Sequence, residues 1–201
     1  MNLVELSITL LLAAVVSATS LHRRTGKPHN GSSCKPRLPY DGKCWNDVRG
    51  LKWTAHGFDY HASYIFTNPA HQNSWGYVNF NLTNNVVPYT AVCKASSNQL
   101  TDFFYGTLDY NCTLPAEAPV GAAVKFRFSR PSGQLDIEEA IPCTENSKTA
   151  IFRVAGSTIL DLQCTDTTTV TEDWKPGLIY SSRVITCQPV DVTFRPARVV
   201  G

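Results

Sequence analysis

Apolar and polar residues alternate along much of the chain, which is the pattern of β-strands that bury one face. Val124–Ser129 and Gln134–Glu138 alternate in this way, and the segment between them, Arg130-Pro131-Ser132-Gly133, has the composition of a turn. Folding about this turn places two apolar pairs on one face and two oppositely charged pairs on the other. The apolar pairs are Phe128 with Leu135 and Phe126 with Ile137, and the charged pairs are Arg127 with Asp136 and Lys125 with Glu138. Pattern and charge therefore predict one hairpin register.

The same alternation predicts strands from Trp53 onward, with no window of sustained helical period. Ala155-Gly156-Ser157 is predicted as the turn of a second hairpin, and residues 165–177 as a long polar loop carrying Trp174. Pro88 lacks a backbone donor, so its strand is predicted at a sheet edge. The predicted strands are Gly76–Leu82, Val87–Cys93, Thr107–Cys112, Phe152–Val154, Thr158–Cys164 and Val190–Phe194. Their number and spacing indicate an all-β, single-domain antiparallel β-barrel or sandwich.

The N-terminus has the pattern of a secretory signal peptide. The apolar run Leu6–Val16 is too short to span a bilayer and is followed by the small residues Ser17 and Ala18. We therefore expect residues 1–18 to be a signal peptide and the mature protein to be secreted and extracellular, with no membrane segment after cleavage.

The rest of the chain is predicted to divide into three parts. Residues 19–50 are rich in basic and turn-forming residues and are expected to be a flexible arm, in which Arg23-Arg24 is a candidate processing site. Residues 51–196 are expected to form the β-domain, and residues 197–201 a short tail. The formal net charge of +2 is too small to indicate a nucleic-acid partner.

Seven cysteines follow the predicted signal, and an exported chain is expected to form disulfides. They are Cys34, Cys44, Cys93, Cys112, Cys143, Cys164 and Cys187. Because seven is odd, one cysteine is left as a free thiol or joins a second chain. No C-x-x-C pair occurs, which argues against a zinc ribbon or a thioredoxin-type redox site. No metal or cofactor is expected.

The sequence shows no catalytic constellation. Hydrolase, metalloprotease and phosphate-loop motifs are absent, and Glu138 and Glu139 are adjacent on a strand and so face opposite sides. We therefore predict that the chain is not an enzyme. A remote alternative is a secreted carbohydrate-active enzyme, since cleavage after Leu21 would expose His22 as an N-terminal copper ligand. Signal peptidase disfavours a large residue before the cut.

Surface features are suggested by sequons and tryptophans. Asn30, Asn81 and Asn111 begin N-glycosylation sequons. The four tryptophans divide by their surroundings: Trp53 and Trp75 lie in strand-like segments and are expected in the core, whereas Trp45 and Trp174 lie in loop-like segments and are expected to be exposed. Exposed aromatic faces stack on sugars, so polysaccharide binding is an alternative function.

From Trp53 to about Phe194, the order of segments and cysteines resembles the fungal Alternaria-type allergen family, whose members are small secreted β-barrel proteins. The resemblance covers about 140 residues, and the spacing of the cysteines is its strongest part. Its segments, after Cys44, are Lys52–Tyr60, Trp75–Asn84, Tyr89–Ser96, Leu108–Cys112, the Phe126 to Ile137 hairpin, Phe152–Gly156, Leu160–Cys164 and Val184–Val192.

The resemblance implies that Cys93 pairs with Cys112 and Cys164 with Cys187. In the family a cysteine ahead of the first strand can join two subunits, a role that would fall on Cys34 or Cys44 and give a disulfide-linked homodimer. The set Cys34, Cys44 and Cys143 departs from the simplest family pattern. We expect Cys143 to pair with Cys44 or Cys34.

The resemblance implies recognition rather than catalysis. Family members look like secreted effectors or elicitors that bind host extracellular defence proteins, including thaumatin-like ones. Some bind small phenolic ligands at a subunit interface. No contact residues can be carried over position by position.

Overall fold

The alternating segments form eleven strands, preceded by one short helix, in a computed structural model that describes residues 43–201. The elements are α1 (Lys43–Arg49), β1 (Trp53–Asn68), β2 (His71–Asn84), β3 (Ala91–Ser97), β4 (Tyr110–Asn111), β5 (Ala123–Ser129), β6 (Gln134–Glu145), β7 (Lys148–Ile159), β8 (Cys164–Val170), β9 (Ser181–Cys187), β10 (Val190–Phe194) and β11 (Arg198–Val200). The predicted signal peptide, Arg23-Arg24, His22, Asn30 and Cys34 lie outside the described residues.

The strands form two antiparallel sheets. The first sheet has the order β3-β2-β1-β9-β8, and β10 pairs with the first part of β1, whose later part pairs with β9. The second sheet has the order β11-β7-β6-β5-β4. Within residues 43–201 the sheets do not close into a barrel, so of the two predicted architectures the structure is the sandwich. The predicted all-β, antiparallel fold class is confirmed.

The β5–β6 hairpin has the predicted register. Phe128 lies opposite Leu135 and Arg127 opposite Asp136, and the two other predicted pairs are also in register. The charged pairs are on the outer face, where Lys125 Nζ lies 3.0 Å from Glu138 Oε2. Each such exposed ion pair contributes about 0.2–1 kcal/mol to the free energy of unfolding. The buried face therefore dominates the stability of the hairpin, and the charges select its register.

Aromatic rings fill the space between the sheets. Phe58 of the first sheet packs against Phe128 of the second, with ring centroids 5.0 Å apart. Phe80 packs edge-on against Phe126, also at 5.0 Å. All four side chains are at most 4% exposed. Aromatic pairs add about 0.5–1.5 kcal/mol each to the free energy gained from burying their area, so this layer is a large part of the core.

The predicted hairpin around Ala155-Gly156-Ser157 is wrong, because β7 runs unbroken through these residues. Gly156 pairs with Ile137 in β6. A Cβ atom at Gly156 would lie 2.8 Å from Pro196 Cα and 3.1 Å from the Trp53 ring. The glycine therefore serves a close approach between chain segments that are distant in sequence.

Two other predicted loop and strand boundaries also change. Residues 165–170 of the predicted polar loop belong to β8, because they pair residue by residue with β9. Threonine is β-branched and suits an exposed strand face. Conversely, Val87 and Pro88 precede β3, which begins at Ala91. Strand β3 lies at the sheet edge, as predicted for this segment.

The ends of the β-domain extend beyond the predicted limits. Part of the predicted arm is α1, which buries Cys44 and Val48 against the core, so residues 43–49 belong to the folded domain. Most of the predicted tail is β11, which pairs with β7. Both departures arise from contacts with distant residues, which local sequence patterns do not show.

Three disulfides join elements of the described part of the chain. Cys44–Cys143 ties α1 to β6, and Cys93–Cys112 ties β3 in the first sheet to the end of β4 in the second. Cys164–Cys187 joins directly opposed residues of β8 and β9. Each long-loop disulfide contributes on the order of 2–4 kcal/mol to the free energy of unfolding.

Candidate functional site

A carboxyl group lies inside the sandwich, at Glu139. Alternation along β6 turns Leu135, Ile137, Glu139 and Ile141 to the interior, and Glu139 is 3% exposed. Its neighbour Glu138 faces outward, as strand geometry requires. Glu139 shares the strand face of Leu135 and Ile137, so the alternation in the sequence also predicts its burial. A charged residue is rarely buried, and this site was therefore not identified from the sequence.

The Glu139 side chain connects the two sheets. Trp53 Nε1, on β1, donates a 2.7 Å hydrogen bond to Glu139 Oε2. Asn84 Nδ2, on β2, donates to both carboxyl oxygens at 3.1 and 3.0 Å. Asn84 is itself fixed, because its Oδ1 accepts hydrogen bonds from the backbone N–H groups of Val86 and Val87. The buried Tyr89 hydroxyl lies beside the same carboxyl group without a hydrogen bond of good geometry.

Burial determines the charge state of this group. Removal from water raises the pKa of Glu139 to about 7, although the donors on Trp53 and Asn84 and the nearby Tyr89 hydroxyl favour the ionised form. Burial, with a smaller contribution from Glu139, raises the pKa of Tyr89 to about 12. The Glu139 side chain is thus an internal link between the sheets, with a pKa raised by its burial.

Histidines and carboxylates occur as separate pairs on the surface. His56 Nδ1 lies 3.6 Å from Asp191 Oδ2, and His61 Nδ1 lies 3.3 Å from Asp59 Oδ2. Among residues 43–201 there is no group of three or more His, Cys, Asp or Glu side chains that could hold a metal ion. No helix in this range is long and apolar enough to cross a membrane.

The tryptophans divide differently from the prediction. Trp53 is in the core as predicted, but Trp75 is only partly buried, because it shares the outward parity of Tyr77 on β2. Trp45, predicted to be exposed, lies on α1 and packs on Phe152 with ring centroids 5.9 Å apart. The Arg49 guanidinium also lies over the Trp45 ring, 5.9 Å from the ring centroid.

Two sequon asparagines have exposed side chains on strands, Asn81 on β2 and Asn111 on β4. Exposure meets the steric requirement for a glycan, and glycosylation itself stays a prediction.

An apolar surface lies at the end of the β8–β9 hairpin, which we call the hairpin tip (residues 170–180). The aliphatic side chains of Val170, Leu178 and Ile179 are 57%, 53% and 51% exposed. Trp174, which the sequence predicted as a surface contact, is half-buried among them and stacks edge-on against Tyr180 at 5.9 Å.

Hydrogen bonds order this tip. Trp174 Nε1 donates to the Leu178 carbonyl at 2.9 Å, and Thr171 Oγ1 donates to the Ile179 carbonyl at 2.8 Å. The Tyr180 N–H donates to the carbonyl of Phe66 on β1 at 2.8 Å. The apolar side chains are thus presented on a fixed backbone, which lowers the entropy cost of binding through them.

We predict that Glu139 makes the native state less stable as pH rises. Its pKa is raised in the folded protein, so the folded state retains a proton that the unfolded state releases between its ordinary pKa and about 7. Across that window the free energy of unfolding should fall by up to about 3 kcal/mol. Urea unfolding at a series of pH values measures this slope. Glu139→Gln should flatten it, and Glu138→Gln, an exposed neighbouring control, should not. Equal slopes in wild type and Glu139→Gln would contradict the assignment.

Comparison with known proteins identifies the family. The family model described as Alternaria alternata allergen 1 matches residues 56–187, more than half of the chain. No curated protein and no solved structure matches the chain. This family is not a known enzyme family, and membership together with the disulfides is consistent with a secreted protein. The resemblance drawn from the cysteines and strand order is confirmed: the chain belongs to the Alternaria alternata allergen 1 family.

Proposed function

We propose that this allergen-like protein is a secreted, non-catalytic effector or elicitor that binds a host extracellular protein, with a thaumatin-like defence protein as the expected partner class. The observation that carries the proposal is the exposed apolar hairpin tip. Three aliphatic side chains, each more than half exposed, are costly to leave in water and become favourable when a partner covers them.

The composition of the tip is that of a protein-binding surface. Interface centres are apolar and aromatic, and their rims are polar. The tip has Trp174 and the exposed aliphatic residues at its centre, and the exposed charged side chains of Glu172, Asp173 and Lys175 around them. Lys175 lies within the turn that positions Leu178, since the Leu178 N–H donates to its carbonyl.

Non-catalytic action agrees with the site chemistry. Glu139 has a strongly perturbed pKa but a side chain that is only 3% exposed, and His56 and His61 each face a single carboxylate. An acid–base mechanism needs a titratable group within reach of a bound substrate.

We predict that charges placed in the hairpin tip abolish partner capture. Leu178→Asp and Ile179→Asp each put a carboxylate where an apolar contact would be buried, which should reduce recovery of the host protein from apoplastic fluid by about tenfold or more. Both residues are exposed, so the fold should be retained. The matched control is Val120→Asp, because Val120 is 98% exposed and lies away from the tip in sequence.

The pull-down uses disulfide-intact protein, with reduced and alkylated protein as a second control. Capture that is equal in tip variants and wild type would reject the tip as the binding surface. Retention on insoluble wall polysaccharide that is lost in Trp75→Ala, and kept in the tip variants, would favour the polysaccharide-binding alternative. That alternative draws support from Trp75 and Tyr77, which both point outward from β2. The His61 ring stacks on Tyr77, with ring centroids 5.0 Å apart.

We also propose a disulfide-linked homodimer joined through Cys34. The described disulfides use Cys44 with Cys143 and pair the four remaining cysteines of the domain, which leaves Cys34. A cysteine without an intrachain partner in an oxidising compartment favours an interchain bridge.

For the Cys34 bridge, we expect wild-type protein to migrate as a dimer on a non-reducing gel and as a monomer after reduction. Cys34→Ser should migrate as a monomer under both conditions, because it lacks the thiol of the proposed bridge. Its intrachain disulfides are unaffected. A wild-type monomer without reductant, or a dimer that persists in Cys34→Ser, would refute the bridge.

A further inference from the structure

A second surface feature lies on the outer face of the second sheet, where a depression of about 180 Å³ crosses its strands. The strand register places its outward-facing lining residues in two rows across the sheet. One row is Arg198, Ala155, Glu138, Lys125 and Asn111, and the other is Arg153, Ala140 and Ala123. The inward-facing row between them, Val124, Glu139 and Val154, completes the lining. The depression is therefore built by regular strand pairing and is held on a rigid part of the fold.

The floor of the depression consists of small side chains. Ala123, Ala140 and Ala155 lie on the outward parity of three adjacent strands, where their neighbours are long and charged. Their methyl groups form a flat apolar patch below the level of the surrounding side chains. A flat ring with apolar C–H groups on one face could lie on this patch.

The rim has different charges at its two ends. At one end are the guanidinium groups of Arg153 and Arg198, and in the part of the chain that the structure describes neither forms an ion pair with a carboxylate. At the other end, Lys125 Nζ is neutralised by Asp109 at 2.7 Å and Glu138 at 3.0 Å. A ligand is thus offered two cations at one end and hydrogen-bond acceptors, on Glu138 and Asn111, at the other.

We propose that this depression binds one hexuronate residue of an acidic polysaccharide. The carboxylate would accept charge-assisted hydrogen bonds from Arg153 and Arg198, whose planar guanidinium groups suit carboxylate oxygens. The ring hydroxyls would donate to Glu138 and to the Asn111 side-chain oxygen. The C–H face of the ring would cover the alanine floor, and the cavity has the size of a single pyranose.

Other anions and sugars fit the depression less well. A fully ionised sulfate or phosphate has no hydrogen to donate, so it leaves the Glu138 acceptor unmatched and is repelled by its charge. A neutral pyranose leaves the two guanidinium groups without a charged partner. A uronate has both an anionic end and a donor-rich end, which matches the distribution of charge along the rim.

The test is an NMR titration of the mature protein with trigalacturonate and with its fully methyl-esterified form, which keeps the shape and removes the charge. Thr113→Ala is the background for all samples, because it removes the sequon at Asn111 and retains the Asn111 side chain. We expect the acid form to shift the backbone resonances of Arg153, Ala155 and Arg198. The methyl ester should bind at least about tenfold more weakly.

Variants assign the binding to this depression. Arg153→Gln and Arg198→Gln should each weaken trigalacturonate about tenfold, and Ala123→Phe should do so by filling the floor while keeping both cations. Arg195→Gln is the matched control, since Arg195 is an exposed arginine outside the lining and should stay within about twofold of wild type.

Several outcomes would overturn the inference. An absence of shifts at the depression would do so, as would equal binding of the acid and the ester. A loss of affinity in Arg195→Gln equal to that in Arg153→Gln or Arg198→Gln would also overturn it. Equal shifts with a triaspartate peptide would assign the surface to acidic peptides. The inference is independent of host-protein binding, because the hairpin tip is on the first sheet. Leu178→Asp should leave the titration unchanged, and loss in that variant would also contradict the assigned place.

Discussion

The hydrogen bonds between Glu139 and the facing sheet are the constraint on which the sandwich depends. A buried carboxyl group is costly unless its oxygens are hydrogen-bonded, and here the donors are Trp53 and Asn84 on the first sheet. Aromatic packing alone would tolerate small displacements of one sheet over the other. The carboxyl group does not, because displacement would separate it from its donors on Trp53 and Asn84. We therefore regard Glu139 as the residue that fixes how the sheets align.

With the interior fixed in this way, recognition can be carried by the outside of the molecule. The disulfides and the aromatic layer hold the two sheets and α1, so the hairpin tip and the outer sheet faces need not contribute to the core. The tip is apolar, and the depression of the second sheet is cationic at one end. We propose a protein as the ligand of the first surface and an acidic sugar as the ligand of the second. A rigid scaffold that presents separate surfaces is consistent with binding proteins that lack a catalytic site.

Local features of the chain were predictable from the sequence, and features set by distant contacts were not. The β5–β6 register followed from alternation and charge because its determinants lie within one turn of each other. The glycine within the uninterrupted strand at Gly156 is explained by the close approach of Pro196 and Trp53, which are far away in sequence. For the site, the opposite orientation of Glu138 and Glu139 followed from strand parity, whereas Trp75 was expected in the core although its parity on β2 turns it outward. The hairpin tip was partly anticipated through Trp174, whereas the depression required knowledge of three adjacent strands.

The central claim, that Glu139 links the sheets through Trp53, is tested most directly by a double-mutant cycle at about pH 5, where the carboxyl group is protonated. Trp53→Phe removes the indole N–H and keeps an aromatic ring, and Glu139→Leu removes the acceptor and keeps an apolar volume. The account predicts a coupling free energy of about 1–2 kcal/mol from urea unfolding of the two single variants and the double variant. Additive effects, within about 0.5 kcal/mol, would show that the two side chains are only neighbours and would contradict the account.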